Sequence, residues 1–185
     1  SPIVSASSVL TNRSSAQSLE QVIPYTYRLS YSSEFVTSLP IFTGNIANWS
    51  MIKICLKITT STIATAKAVY LRLNNSNISG GYAIDARRRD DNWSHYNPIN
   101  LSTNIFLGDV AYPDNSSYLE VNIINGDVWH TYKSVVSTAT ATASQYSLSV
   151  CSGQFSHSMA GDVLNSLHLI ASQGVQAMGI VQIYT

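Results

Sequence analysis

The sequence predicts a single all-β domain, a sandwich or barrel of antiparallel strands, and three observations support this prediction. Apolar residues recur at every second position nearly everywhere, and at the helical period of 3.6 almost nowhere. The alternating runs are short, and clusters of Asn, Asp, Gly, Pro and Ser separate them. The chain has 185 residues, a length with which one domain buries roughly 70% of its unfolded surface.

The individual strands follow from the alternation. The clearest runs from Trp49 to Ile58, where four aliphatic side chains share one face and two lysines, Met51 and Cys55 share the other. The other predicted strands are 25–31, 69–73, 104–107, 118–124, 135–143, 146–150 and 175–184, the last with a β-bulge at Gly179. Helix is limited to short turns near 62–66 and 162–167. The pattern therefore predicts about eight antiparallel strands and little helix.

The composition is poor in charge. Only 11% of the residues are charged, against about 25% in an average soluble protein. Ten basic and ten acidic residues balance to zero, so the whole chain has no net field that would steer it to nucleic acid, a membrane or an acidic substrate. Zero net charge promotes association, so the sequence favours a protein that packs against copies of itself or related subunits.

The two ends of the chain differ in character. Residues 1–20 are polar and rich in Ser, which predicts a flexible N-terminal arm, and residues 21–185 form the predicted domain. The chain opens on Ser1, as we expect of a product cut from a longer precursor; a secreted protein that has lost its signal begins in the same way. No apolar run approaches the 18 or so residues of a membrane span, so no membrane partner is expected.

A search for chemistry returns no catalytic, cofactor or metal site. Four histidines lie in four separate segments without metal-ligand spacing, and no nucleophile elbow or phosphate-binding glycine loop is present. We therefore predict that the chain is not an enzyme. Cys55 and Cys151 lie in separate strand-like runs, so they form either two buried free thiols or one long-range disulfide.

Two sets of residues are candidates for contacts with partners. Arg87, Arg88 and Arg89 could bind RNA phosphate or the carboxylates of a neighbouring subunit; alternatively, they belong to a solvated loop and pair with the acidic residues that follow. Trp49, Trp93 and Trp129 could anchor subunit contacts or stack on sugars; alternatively, each is a partly buried core residue.

Several segments resemble coat proteins of picorna-like plant viruses, the comovirus and cheravirus group. The resemblance is one of strand spacing and residue type, and it covers about residues 49 to 184. It rests on IKICLKITT from Ile52, AVYLRLNNS from Ala68, GGY from Gly80, YNP from Tyr96, IFL from Ile105, YSLSVCSG from Tyr146 and GVQAMGI from Gly174. The mass of 20.1 kDa is similar to that of the smallest of the three cheravirus coat proteins.

This resemblance implies an eight-stranded jelly-roll β-sandwich that is released from a polyprotein. Three related domains of this kind form the repeating unit of an icosahedral shell, so the implied partners are other capsid subunits, identical and related, and genomic single-stranded RNA. The implied location is the virion, and the host cytoplasm during assembly. It also implies that the strands of Cys55 and Cys151 are neighbours in one sheet, with the two thiols close together.

The first 20 residues carry one basic group, Arg13, so the chain has no polycationic arm for RNA. Two function classes remain open beside the coat subunit. One is a secreted carbohydrate-binding β-sandwich that uses Trp and Tyr side chains, and the other is a hydrolase on a β-scaffold. Seven Asn-x-Ser sequons would suit a secreted glycoprotein, although a chain this rich in Asn and Ser carries several by chance.

Overall fold

The protein is all-β. The structure, a computed structural model, describes residues 20–31, 34–61, 67–74, 84–89, 93–96, 104–110, 117–139, 146–156 and 163–185. These residues contain eleven strands and no helix, which confirms the predicted fold class. The strands are β1 (Tyr25–Leu29), β2 (Val36–Ala47), β3 (Met51–Thr60), β4 (Lys67–Leu73), β5 (Ile84–Arg89), β6 (Trp93–Tyr96), β7 (Ile105–Val110), β8 (Ser117–Ile124), β9 (Trp129–Ala139), β10 (Tyr146–Ser156) and β11 (Val163–Tyr184).

All eleven strands belong to one antiparallel sheet. Nine of them follow the order β6-β5-β10-β9-β8-β3-β11-β4-β7, and β1 and β2 each pair with β11. The last strand, β11, is the centre of this sheet, because four strands pair with it. Val175 pairs with Val36 of β2 and with Thr60 of β3, so these two strands lie on opposite edges of β11. Val181 pairs with both β1 and β3, and Leu169 pairs with both β2 and β4. One edge of β11 is therefore covered by β2 and β1, and the other edge by β4 and β3.

The sheet folds over into two layers of a jelly-roll-like β-sandwich. The large layer contains β1, the second half of β11, β3, β8, β9, β10, β5 and β6, and the small layer contains β2, the first half of β11, β4 and β7. The change of layer falls near Gly174, where φ is +90° and the pairing of β11 with β2 shifts register. The inner faces of both layers supply one continuous core.

Strand β7 closes the small layer onto the large one through side chains. The hydroxyl of Tyr132 donates to the carbonyl of Phe106 at 2.8 Å, and that of Ser134 donates to the carbonyl of Leu107 at 2.6 Å. The backbone N–H of Asp109 donates to Ser149 Oγ at 3.1 Å. Three hydroxyl groups of β9 and β10 therefore satisfy backbone groups of β7, which buried polar groups require.

The predicted alternation describes the core well. Ile52, Ile54 and Ile58 are fully buried and Leu56 is 2% exposed, whereas the lysines between them lie on the outer face. Each such side chain contributes about 1.5–3 kcal/mol of transfer free energy relative to an exposed position. Most of the large layer therefore has an apolar inner face and a mixed outer face.

The structure corrects the sequence-based prediction in two places. Residues 163–167, expected as a helical turn, are the start of β11. Gly179 is not a bulge, because β11 and β3 keep a continuous register through it; its φ of +146° lets the β3 backbone at Cys55 approach closely. The predicted turn at 62–66, the end of the strand predicted at 135–143 and the arm before Glu20 lie outside the described residues.

Candidate interaction surface

Three large apolar side chains are exposed together where β8 passes into β9. Ile124 is 54% exposed, Val128 66% and Trp129 43%. Two hydrogen bonds tie the β8–β9 connection to the residues before β3. Asn125 Nδ2 donates to the carbonyl of Trp49 at 2.6 Å, and the Asn125 N–H donates to the carbonyl of Ser50. Exposed apolar groups on a fixed turn are typical of contact surfaces, and we call these three residues the β8–β9 apolar cluster.

The predicted tryptophan anchors occupy different environments. Trp129 lies in the apolar cluster and stays a candidate anchor. Trp49 is 1% exposed and its ring lies 5.1 Å from that of His130, which in turn lies 4.9 Å from Phe155. This burial corrects the prediction for Trp49, because a core side chain offers no surface to a partner or a sugar. Trp93 is described only through its place in β6, where it pairs with Arg89.

The three arginines form part of a strand and not of a loop. Arg87, Arg88 and Arg89 end β5, and in register they lie opposite Val150, Ser149 and Leu148 of β10. The solvated-loop alternative is therefore corrected. A strand could not be predicted here, because a charged triplet has no alternation of apolar and polar residues.

The predicted proximity of the two thiols is wrong. Cys55 lies in β3 and Cys151 in β10, and β8 and β9 separate these strands, so they are about 14 Å apart at the usual strand spacing. Cys151 is in register with Ser134, Val121 and Ile54, the residue before Cys55, so the two cysteines point to opposite faces. A disulfide needs Cα atoms within about 7 Å, so the two cysteines are not bonded to each other; Cys151 is buried and Cys55 half-buried.

A hydrogen-bonded group occupies the outer face of β8. The Tyr118 hydroxyl donates to Glu120 Oε2 at 2.6 Å, and Asn122 Nδ2 donates to Glu120 Oε1 at 3.3 Å. These bonds lower the pKa of the Glu120 carboxyl, the bond from Tyr118 most strongly, and nearby Lys53 acts in the same direction. The bond to Glu120 also raises the pKa of Tyr118 to about 12. Glu120 is therefore ionised and Tyr118 neutral across the physiological range.

A second apolar surface lies beside this group. Met178 is 40% exposed, Ile180 42% and Tyr31 45%. Together with Arg28 they line a shallow cavity of about 490 Å³ between β1 and β11. The Tyr31 hydroxyl donates to Thr59 Oγ1 at 3.3 Å, which fixes one wall of the cavity.

Within the described ranges, no group of three or more His, Cys, Asp and Glu residues lies close enough to hold a metal ion. Nor does that part of the chain contain a helix long and apolar enough to cross a membrane. In comparisons with known proteins, no family model matches the chain, and no curated protein and no solved structure matches it. The resemblance to plant virus coat proteins therefore stays a prediction from the residues.

Proposed function

We propose that the chain is a structural coat subunit of a small icosahedral single-stranded RNA virus, which packs with copies of itself and with related jelly-roll subunits around the genome. The observation that carries this proposal is the β8–β9 apolar cluster, Ile124, Val128 and Trp129, fixed on a protein with few charges. Exposed apolar groups on a rigid turn cost free energy in water, and that cost is removed when a neighbouring subunit covers them.

The rest of the surface supports the same proposal. Tyr31, which follows β1, and Met178 and Ile180 of β11 are also exposed. Permanent interfaces commonly bury more than about 2,000 Å² in total, so a coat subunit uses more of its surface than the apolar cluster alone. Zero net charge, which favours association, suits a protein that works only in an assembly.

The proposal also draws on the sequence. The strand spacing and residue types from Trp49 to Tyr184 resemble coat proteins of the comovirus and cheravirus group, and the jelly-roll-like layers are those that such proteins use. The carbohydrate-binding alternative loses one of its three tryptophans, because buried Trp49 cannot stack on a sugar. Of the two tryptophans whose exposure the structure describes, Trp129 is the one at the surface.

Assembly tests the proposal. The full chain is co-expressed with the related coat proteins of its source, and the products are examined by sedimentation and negative-stain microscopy. We expect isometric particles that contain this chain. Val128→Lys, which places a charge in the apolar cluster, should prevent or strongly reduce particle formation.

The matched control is Thr37→Lys, which adds the same charge at an exposed polar position of β2. Both variants should keep the far-ultraviolet circular dichroism and melting temperature of the unchanged chain, because neither position is in the core. A chain that stays monomeric beside its companions would contradict the proposal. So would particles that form equally well with Val128→Lys.

A further inference from the structure

The chain has zero net charge, but its charged residues are unevenly distributed over the surface, as the register of the strands shows. The outer face of the large layer carries Arg28, Lys53, Lys57 and Lys133, and Arg87 and Arg89 hold register positions on the same face. Two acidic residues share it, Glu120 and, by register, Asp85. Among the side chains that the structure describes, this face carries four basic residues and one acidic residue, an excess of three positive charges, although the chain as a whole is neutral.

The cations form parallel rows. In the strand order β1-β11-β3-β8-β9-β10-β5, basic residues of this face lie on β1, β3, β9 and β5, which are alternate strands. Adjacent strands are about 4.8 Å apart, so neighbouring rows are about 10 Å apart, and the described cations from Arg28 to Lys133 span about 19 Å. Arg28, Lys57 and Lys133 are exposed and Lys53 is half-buried.

Apart from Glu120 of β8, the strands between these rows present uncharged side chains on this face. Met178 and Ile180 lie on β11, Tyr118 on β8, and Leu148 and Val150 on β10. Tyr118 is 47% exposed, so part of its ring is available for stacking. Glu120, the one acidic side chain described on this face, has both carboxylate oxygens engaged by Tyr118 and Asn122.

We infer that this face, which we call the basic face, binds single-stranded RNA, with phosphates on the rows of cations and a base on Tyr118. The inference rests on the proposed coat function and names the surface that meets the genome. Rows of cations with an aromatic ring between them are what single-stranded nucleic acid requires, since phosphates supply the charge and every base has a face that can stack. The carboxylates of an acidic protein surface would pair with the cations, but they would not stack on the exposed ring of Tyr118.

Salt dependence of binding tests the inference. Labelled oligouridylate and oligoadenylate of about 20 nucleotides are titrated with the full chain by fluorescence anisotropy across a range of salt concentrations. Each phosphate that a cation neutralises on a single strand contributes a slope of about −0.7 to the plot of log affinity against log salt. The double variant Lys57→Gln/Lys133→Gln should therefore bind more weakly, with a slope smaller by about 1.4.

The matched control is Lys67→Gln/Arg72→Gln, which removes two positive charges from β4, a strand outside the basic face. It should keep the slope and nearly all of the affinity. If both double variants lose affinity and slope equally, the binding is a property of total charge and the inference is overturned. Absence of measurable binding at low salt overturns it as well.

Tyr118 distinguishes RNA from an acidic protein partner. Tyr118→Ala should weaken RNA binding about tenfold by loss of stacking, whereas Tyr118→Phe, which keeps the ring, should bind like the unchanged chain. A labelled polyglutamate peptide of matched charge should bind more weakly than RNA and should not respond to Tyr118→Ala. Equal binding of the peptide, with no effect of Tyr118→Ala on RNA, would identify an acidic protein face instead.

The inference and the proposed function can fail separately. Suppose that particles form with companion subunits, but neither the isolated chain nor the particles bind RNA at the basic face. The coat function would then stand and the inference would be wrong. RNA binding with the expected slopes from a chain that never assembles would keep the basic face and remove the coat function.

Discussion

Glu120 owes its ionisation behaviour to its two neighbours on β8. Because the hydrogen bond from Tyr118 is the largest cause of its lowered pKa, Tyr118→Phe should raise the pKa of Glu120 toward the ordinary value. Asn122→Ala should raise it less. A carboxyl group with a lowered pKa in the folded state adds stability above its ordinary pKa, and this contribution is lost as pH falls through the folded value. Carbon-13 NMR titration of the Glu carboxyl resonances measures the shift; an unchanged Glu120 titration in Tyr118→Phe would contradict this account.

The type of residue at Asn74 predicts its turn but not the contacts of its side chain. Its place in a cluster of Asn, Ser and Gly predicts a turn, and it follows β4 with a φ of +54°, which Asn tolerates better than most residues. Its side chain also joins β11: Nδ2 donates to the carbonyl of Val163, and Oδ1 accepts from the N–H of Asn165. Val163 is 89 positions away, so no local pattern could indicate this contact.

At the scale of the strand, β7 depends on Gly108 for its approach to the large layer. A Cβ at this position would lie 2.8 Å from Ser149 Cβ and 2.9 Å from Val136 Cγ2, and φ is +145°. Gly108→Ala should therefore lower the free energy of unfolding by about 3 kcal/mol or more, through steric overlap and backbone strain together. Urea unfolding measures the loss.

Adding Val136→Ala to Gly108→Ala separates the two causes. Val136→Ala alone should destabilise the core, but in the double variant it removes one of the overlapping groups. The double variant should therefore be more stable than the sum of the two single losses predicts. Strict additivity would show that overlap with Val136 is not part of the cost.

Strands with a simple alternation could be predicted, and irregular strands could not. β8 keeps period two from end to end and β3 keeps it from Met51 to Ile58, and their predicted inner faces are buried. β2 was missed because Pro40 and Gly44 interrupt it and its pairing with β11 shifts register three times. The helical turn predicted at the start of β11 is wrong: Leu164 and Leu167, three residues apart, are both buried because the strand shifts register between Leu164 and Ser166.

At the scale of the whole molecule, neutrality governs the behaviour of the isolated chain. With an isoelectric point near 6.9, association should be strongest close to pH 7 and should weaken on either side as net charge grows. Static light scattering of the purified chain at constant ionic strength should show this maximum. Scattering that is independent of pH between about 5 and 9 would contradict a role for net charge.

The same neutrality explains what the sequence could not predict about the candidate site. A count of charges gives zero and excludes a net field, yet strand register brings four of the described basic side chains and one acidic side chain to one face. Lys57 and Lys133 are 76 positions apart in the sequence, and only the pairing of β3, β8 and β9 brings them to one surface. The total charge of a protein therefore determines its net field, but it does not determine whether one face carries an excess of charge.

The central place of β11 has a consequence for biosynthesis. Within the described residues, β1 and β2 pair with no strand but β11, and β3 and β4 each have it on one edge, although all four leave the ribosome more than 80 residues earlier. Until residues 163–184 emerge, this early part of the chain has no template on which to complete its hydrogen bonds, and pairing over such separations is slow. The early strands therefore stay unpaired along these edges until β11 has been synthesised, and unpaired strand edges are prone to aggregation until they are covered.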